Sequence, residues 1–397
     1  MNDIGFGCDH IEVDSMYRPS VAVSRAYDLL GTIIHIHGGI VLESAIAVCD
    51  VYLLRSSRLR RVDSSFWAKF NCLPSRVRWW SMHRDLVGVI GENLVDLIVT
   101  NEKPPALVAG GGPFNVARTV ARLGARSLAL MGISEDIFGR RIRAKLIADG
   151  VILGYPEALV YPTTVAIAEV EEGVASYHFH LHETAAFQVD FESLNLAVER
   201  YADNLGALYI GTLALFVEPM ASAGEELILN CADDLIVLID PNCRPAAVRD
   251  RSDYVDRVTR IFARSDLVKV STEDLHYLYG DEPHEVSVEK MQRAGARIVF
   301  VTNGGSPLEL YHPSGRESFD VPKVEVVDTV GAGDSFVGGF LAYWLSNGYS
   351  KDDLGDFGLV KEAVIAAMEV SSMTCEREGA EPPLRTDLVS STIWSRS

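Results

Sequence analysis

The sequence contains few cysteines, and they are not arranged as in a cross-linked or metal-binding fold. Its six cysteines, in 397 residues, include no CxxC pair and no histidine partner at metal-ligand spacing. Disulfide scaffolds and zinc sites both depend on such spacing. We therefore expect free thiols in a reducing, cytoplasmic compartment.

Positive charge is also scarce. Lys and Arg together number 36 against 55 Asp and Glu, which gives a formal net charge of −19. Such an acidic chain repels polyphosphate backbones, so we expect no nucleic-acid partner. It would also repel ATP at long range. A nucleotide site would have to be built locally, from backbone N–H groups and a metal ion.

Long apolar runs free of charge are missing as well. The run Gly38–Leu54 contains Glu43 and Asp50, and each acid near the centre of a span costs about 2.5–3.5 kcal/mol of insertion. Asp3 and Asp9 stand where a signal peptide carries positive charge. We expect neither a membrane partner nor a signal peptide.

The first 84 residues differ from the rest in charge. Met1–Arg84 has a net charge of +2, whereas the remainder has −21. This stretch is either an appended segment with its own role, built around RSSRLRR (Arg55–Arg61), or a region upstream of a natural start at Met82; we favour the second. We therefore predict an N-terminal extension of uncertain structure at residues 1–84 and one domain at 85–391.

From Leu86 onward, apolar strand patterns alternate with helical patterns. LVGVIGENLVDLIV (Leu86–Val99) indicates a buried strand that ends in a turn. Later strands are predicted at Ser127–Asp136, Ala207–Leu213, Leu235–Asn242, Asp266–Ser271 and Ile298–Gly305. This alternation predicts a three-layer α/β fold.

The segment Thr163–Ala186 interrupts that rhythm. It alternates with period two around a Glu-Glu-Gly turn, which predicts a hairpin. Inserted hairpins can act as lids over a site, and an antiparallel edge extension is the equal alternative. We expect His178, His180 and His182 to be exposed polar positions, because no carboxylate or cysteine completes a metal site.

The most informative motif is VVDTVGAGDSFVGGF (Val326–Phe340). We predict a strand ending at Val327, a glycine turn, and a helix beginning near Asp334. N–H groups at such a helix start bind anions, and the geometry suits a transferring phosphoryl group. The same dipole would keep Asp334 ionised, as a base requires; the alternative is that Asp334 only caps the helix. The motif has neither the GK[ST] ending of a P-loop nor the third glycine of a dinucleotide fingerprint.

Two motifs together resemble one family. DTVGAGDSFVGGF is similar to the C-terminal motif of ribokinase-like (PfkB) sugar kinases, and AGGGPFNVARTVARLGA with GISEDIFG is similar to their N-terminal motif. The resemblance runs in the family's order from about Leu86 to Pro383. Within the family, LIDPNCRP, DLVKVSTEDL and CEREGAEPP most resemble bacterial fructokinases.

The resemblance assigns roles to particular residues. It implies a catalytic base, Asp334, with an anion hole at Gly331, Ala332 and Gly333. It implies a sugar site that includes Asp96, at the end of the first strand, and the motif residues Gly111, Gly112 and Asn115. It implies nucleotide-binding residues at Ser271, Asp274, Thr302, Gly304 and Gly305. It also implies a monovalent-cation site at Asp328, Val330 and Gly379.

Three features depart from the family pattern or leave alternatives open. The family's Asn-x-x-Glu motif appears as Ser271-Thr272-Glu273-Asp274, so either Glu273 or Asp274 faces the metal. Pro113 and Phe114 make the substrate loop bulkier than in members with small residues there. Arg244 either reaches a phosphate or pairs with an acid.

The resemblance implies a ribokinase-like α/β/α fold with a small β-lid from about 97–108 and 160–187. The implied activity is transfer of the ATP γ-phosphate to a hydroxyl of a small sugar, with fructose expected first. The alternatives are ribokinase, 2-keto-3-deoxygluconate kinase or nucleoside kinase activity, or a non-catalytic sugar-binding relative. The expected cofactors are ATP and Mg²⁺, with K⁺ as a further candidate. The expected partners are the sugar and ATP, with a homodimer through the lid as a candidate assembly.

Overall fold

The structure is a computed structural model that describes residues 84–100, 104–171 and 174–396. The predictions made for residues 1–83, including the role of RSSRLRR and the start at Met82, lie outside the described residues.

The described chain contains thirteen strands and nine α-helices. The strands are β1 (Leu86–Ile90), β2 (Leu94–Thr100), β3 (Ala106–Gly110), β4 (Arg126–Leu130), β5 (Ile152–Leu153), β6 (Thr164–Glu171), β7 (Val174–His180), β8 (Leu205–Gly211), β9 (Ile236–Asp240), β10 (Leu267–Ser271), β11 (Ile298–Asn303), β12 (Ser306–His312) and β13 (Gly315–Phe319). The helices are α1 (Gly112–Arg122), α2 (Ile137–Ala148), α3 (Phe191–Glu199), α4 (Met220–Asn230), α5 (Arg251–Phe262), α6 (Thr272–Tyr279), α7 (His284–Ala294), α8 (Ala332–Ser346) and α9 (Phe357–Cys375).

A nine-stranded sheet forms the centre, in the order β13-β12-β11-β10-β9-β8-β1-β4-β5. The parallel strands are β11, β10, β9, β8, β1, β4 and β5, and β12 and β13 add an antiparallel edge. Alternate residues of β1 enter opposite cores: Val87 and Val89 pack on the side of α1, α8 and α9, whereas Leu86 and Ile90 pack on the side of α4, α5 and α7. Both faces are covered by helices, which confirms the predicted three-layer fold.

A second sheet has four strands in the order β3-β2-β6-β7. β2 pairs with β3 antiparallel and with β6 parallel, and β6 pairs with β7 as the predicted hairpin. On the edge strand β3, Leu107 and Val108 are exposed. The sheet occupies the two segments predicted as the lid; that it acts as a lid stays a prediction.

The expectation that Asp96 lies at the end of the first strand is wrong. β1 ends at Ile90 and β2 begins at Leu94 in the other sheet, so Asp96 lies within the second strand and not at the end of the first. Gly91 allows the break: its φ is +154°, and a Cβ there would lie 2.1 Å from Cγ of Pro113. A glycine can take this backbone conformation against the proline ring, and the apolar pattern alone did not reveal it.

The expected strand ending at Val327 is also absent. β13 ends at Phe319, and Val326 and Val327 are exposed. The backbone N–H groups of Val327 and Asp328 both donate to the carbonyl of Cys375, at 2.8 and 3.2 Å. Bonding to the end of α9 therefore replaces a sheet ladder here.

In the part of the chain that the structure describes, no helix combines the length and apolar character needed to cross a bilayer.

Candidate active site

Asp334 is buried in the first turn of α8. Asn115, from α1, donates from Nδ2 to its Oδ2 at 2.8 Å. Burial raises the pKa of Asp334, although the Asn115 hydrogen bond and the charges of Lys269 and Arg244 oppose this shift. The helix dipole favours the ionised carboxylate, as predicted, whereas burial acts in the opposite direction. A raised pKa moves a carboxylate toward the range that suits a general base.

The turn before Asp334 is shaped by two glycines for different reasons. Gly331 caps α8 with φ +78°, a left-handed conformation that favours glycine, and a Cβ there would lie 2.5 Å from that of Ala380. At Gly333 the obstacle is a side chain, because a Cβ would lie 3.0 Å from Nζ of Lys269. Ala332 lies between them, at the first residue of the helix. The N–H of Ala332 donates to the Thr329 carbonyl at 3.2 Å. First-turn N–H groups of a helix have no helical carbonyl to bond and are suited to binding an anion, so the anion site stays a prediction.

The glycine-rich stretch before α1 brings two carboxylates to the same space. A Cβ at Gly110 would lie 2.4 Å from Oδ2 of Asp96, and one at Gly112 would lie 3.3 Å from Oδ1 of Asp334. Between them, Gly111 has φ +111° and caps α1. The missing side chains therefore leave room for the carboxylates of Asp96 on β2 and Asp334 on α8 beside one glycine-rich stretch.

The two carboxylates influence each other. Burial raises the pKa of Asp96 to about 6, with a further contribution from the charge of Asp334, while the guanidinium of Arg244 opposes the shift. Arg244 itself donates from Nη1 to the Asn242 side chain at 2.6 Å. The charge of Arg244 acts on both Asp96 and Asp334; whether Arg244 reaches a phosphate or pairs with an acid stays a prediction.

Asp274 has a structural role at the turn after β10. Its Oδ2 accepts the N–H of Ser271 at 2.8 Å, and its Oδ1 accepts the N–H of Cys243 at 2.6 Å. The Ser271 hydroxyl in return accepts the N–H of Asp274 at 3.0 Å, which completes a capping box. Asp274 is thus buried and engaged on both oxygens, while Glu273 is exposed.

The other predicted nucleotide residues lie beside that turn. Thr302 on β11 is the register partner of Ser271 on β10. Gly304, with φ +51°, and Gly305 follow at the turn into β12, and a Cβ at either would meet no atom within 4 Å. The fold therefore brings these residues to the carboxyl ends of neighbouring strands and leaves open space in front of the glycines.

The three residues predicted as a cation site also come together. Asp328 accepts the N–H of Val330 at 3.0 Å through Oδ1 and the N–H of Gly379 at 3.0 Å through Oδ2. Gly379 has φ +69°. One carboxylate therefore joins the loop before α8 to the loop after α9.

A buried arginine fixes the second of these loops. Arg118 on α1 is 1% exposed and donates to the Ala380 carbonyl at 3.1 Å, to Oε2 of Glu381 at 2.8 Å and to Oδ2 of Asp149 at 2.6 Å. Burial opposes ionisation of Glu381, but Arg118 and Lys145 outweigh it and lower its pKa to about 2. Because Ala380 packs against Gly331, this network supports the turn beneath the anion site.

Residues 84–387 match the family model described as pfkB family carbohydrate kinase. The chain belongs to this family. The predicted family and enzyme class, an ATP-dependent carbohydrate kinase, are thereby confirmed.

Relatives of this pfkB kinase include several fructokinases. The chain is 31% identical to "Fructokinase" of Rhizobium leguminosarum bv. trifolii over 256 residues, which cover 64% of this chain and 77% of the relative. It is 30% identical to "Fructokinase-1" of Oryza sativa subsp. japonica over 321 residues, 77% of this chain and 96% of the relative. Its fold matches the crystal structure of the Xylella fastidiosa fructokinase with bound ATP, with a TM-score of 0.68 and 24% identity over 77% of this chain and 98% of that one.

Sequence reasoning missed a buried ion pair in this pfkB kinase. Lys269 on β10 lies 3.1 Å from Oδ2 and 3.3 Å from Oδ1 of Asp240, at the end of β9, and both side chains are buried. The signal was present, since Lys269 is the one charged residue inside the strand LVKVS.

Glu92 was missed as well. It follows β1, is 1% exposed, and its Oε2 has no hydrogen-bond partner among the described residues. Burial raises its pKa to about 7. An acid placed directly after a wholly buried strand was the available signal.

The histidines of the small sheet do not form a metal site within the described ranges. His178, His180 and His182 are exposed, and no group of three or more potential metal ligands occurs among the described residues.

Proposed function

We propose that this pfkB kinase is a fructokinase that transfers the γ-phosphoryl group of MgATP to a hydroxyl of fructose. The observation that carries the proposal is the convergence of Asp96 and Asp334 on one glycine-rich stretch, where the missing side chains of Gly110 and Gly112 make room for the two carboxylates. The naming of similar proteins as fructokinases supports fructose as the acceptor.

In this proposal Asp334 removes the proton from the acceptor hydroxyl. Its carboxylate is oriented by Asn115 and lies in the helix turn whose N–H groups, at Gly331, Ala332 and Gly333, would receive the phosphoryl oxygens. Phosphoryl transfer depends mainly on positioning and charge stabilisation, and a base in the same turn as the anion site provides both. Asp96 would accept hydrogen bonds from other hydroxyls of the sugar, with Gly111, Gly112 and Asn115 lining its path.

The nucleotide would lie along the ends of β10 and β11. We assign Thr302, Gly304 and Gly305 to this surface, because the two glycines leave open space there. Ser271 and Asp274 would fix the turn and not contact phosphate directly, since their polar groups already cap α6.

The metal ions in the proposal are Mg²⁺ and K⁺. Mg²⁺ prefers oxygen ligands and keeps several waters, so the phosphates of ATP would supply its main ligands. Bound with ATP, it would neutralise phosphate charge. K⁺ would occupy the paired loops of Val330 and Gly379, where Asp328 serves to hold the loops because its oxygens bind backbone N–H groups.

We further propose that the four-stranded sheet is the lid over the sugar, since Asp96 belongs to it. Its exposed Leu107 and Val108 favour a homodimer through this sheet. The proposed location is the cytoplasm. Sedimentation of the wild type and of Leu107→Asp would test the dimer, and a monomeric wild type would reject it.

A coupled ADP-release assay tests the function. We expect fructose to exceed ribose, 2-keto-3-deoxygluconate and adenosine in kcat/KM. A clear preference for one of those three would keep the kinase and reject the fructokinase. No ADP release with any acceptor would favour the non-catalytic alternative.

A further inference from the structure

Lys269 is an unusual residue for the interior of a parallel sheet. It is the third residue of β10, is 5% exposed, and its neighbours in the strand are apolar. Its Nζ is held at 3.1 and 3.3 Å from the two oxygens of Asp240 on the adjacent strand. Removing two charges from water costs several kcal/mol per ion, and an apolar pair of similar volume is often equally stable. Stability alone therefore does not explain the pair.

The ammonium lies beneath the turn formed by Gly331, Ala332 and Gly333, which we call the anion turn. The Cβ that Gly333 lacks would lie 3.0 Å from Nζ and 3.5 Å from Cε of Lys269. Gly333 has no positive φ, so the constraint seen at this position is the close lysine and not backbone conformation. The amino group thus approaches the helix one residue before Asp334.

Several titratable groups on the surrounding elements interact electrostatically with Asp334. They are Glu92 after β1, Asp96 on β2, Tyr209 on β8, Asp240 on β9, Arg244 after β9 and Lys269 on β10. Of these only Lys269 and Arg244 are cations. Arg244 is bound to the backbone and side chain of its own turn. Burial disfavours the charged form of Lys269, but Asp240 and Asp274 outweigh it and raise its pKa, so the ammonium is charged.

We propose that Lys269 is a positioning residue for phosphoryl transfer, in which Asp240 fixes its ammonium beneath the first turn of α8 so that it stabilises the carboxylate of Asp334 and the phosphoryl charge in the anion turn. This inference rests on the proposed role of Asp334 as base. It explains why Lys269, Asp240 and Gly333 occur together on three separate elements.

The consequence is a shift in pH dependence. Asp334 must be ionised to accept a proton, so kcat falls as the pH drops through its pKa. An opposite charge nearby lowers a carboxylate pKa by about 1–3 units. Loss of the ammonium would raise the pKa of Asp334 and move the acidic limb of kcat to higher pH.

The test measures kcat against pH at saturating fructose and ATP, so that titration of Asp96 in the free enzyme does not contribute. For Lys269→Met we expect the acidic limb to move up by about one unit and kcat at its plateau to fall at least 10-fold. Lys269→Met leaves Asp240 unpaired and can fail to fold. Lys269→Met/Asp240→Leu removes both charges. We expect the acidic limb to move up by less than in Lys269→Met, because loss of the Asp240 charge offsets part of the effect on Asp334. Some upward shift should remain, because only the lysine adjoins Gly333.

Lys351→Met is the matched control. Lys351 pairs with Asp266, which directly precedes β10, at 3.0 Å. This variant removes the cation that pairs with the buried acid Asp266, at the opposite end of the same strand. It should lower the melting temperature and leave the acidic limb of kcat in place. An unmoved limb in both Lys269 variants, with the wild type active, would overturn the inference. Full activity of Asp334→Asn would instead reject the proposed function on which it rests.

Discussion

The two sheets of this kinase differ in how deeply they hold their functional carboxylates. β1 of the central sheet is buried along its whole length, and the helix that carries Asp334 packs in the core with twelve of its fifteen residues buried. In the four-stranded sheet, β2 is half-buried from Asp96 onward and most of β3 is exposed. The proposed base is thus held by the core, whereas the proposed sugar ligand belongs to a thinner layer with fewer contacts to hold it. Substitutions should therefore separate into effects on rate and effects on binding.

The largest effect on kcat should come from Asp334, on the buried helix α8. Asp334→Asn removes the base, and we expect kcat to fall by about 10²–10⁴-fold, the usual contribution of general-base catalysis. ADP release at saturating substrates measures this, with the melting temperature as the control for folding. Turnover near that of the wild type would mean that Asp334 only caps α8.

Gly331→Ala should affect both stability and rate. The left-handed φ and the contact with Ala380 together should cost about 2–4 kcal/mol and displace the anion turn. Gly150→Ala is the matched control, because Gly150 has φ +85° but no atom within 4 Å of a Cβ. Thermal unfolding and kcat would be compared; an equal effect of the two variants would show that Ala380 does not constrain the turn.

In the four-stranded sheet, Asp96→Asn should weaken the binding of fructose. Loss of charged hydrogen bonds, worth about 1.5–3 kcal/mol, should raise KM for fructose by about 10- to 100-fold and leave KM for ATP nearly unchanged. Because the pKa of Asp96 is about 6, the wild-type KM for fructose should also rise as the pH falls below that value. A change confined to ATP binding would reject the assignment.

The smallest expected effect is that of Asp96→Asn on the free energy of unfolding. The pKa of Asp96 is higher in the folded chain than in the unfolded one, so its ionisation costs stability; the cost develops between about pH 4 and pH 6 and is complete above pH 6. Asp96→Asn should therefore be more stable than wild type by about 1–2 kcal/mol at pH 8 and equal to it at pH 4. Urea unfolding at the two pH values measures this. A destabilised variant at pH 8 would mean that the carboxylate is held by favourable contacts.

The turn and the helix start around Asp334 could be predicted because glycines and an acid at fixed spacing specify this geometry locally. Gly331 and Asp334 lie three residues apart, so one turn and one helix start relate them whatever the rest of the chain does. The element around Asp96 was predicted less well. A continuous apolar run cannot reveal that Gly91 breaks it against Pro113, a residue 22 positions away.

The sequence by itself determined the family, the α/β alternation and the residues of the anion turn, because each is written in a short stretch of chain. Only the tertiary structure decided that Asp96 and Asp334 lie against the same glycine-rich stretch, that Asp274 caps a turn, and that Lys269, paired with Asp240, lies against Gly333. Those relations join residues that are far apart in the chain and adjacent only where strands and helices pack. Burial, which sets the pKa values of these acids, is a property of that packing and has no local pattern in the sequence.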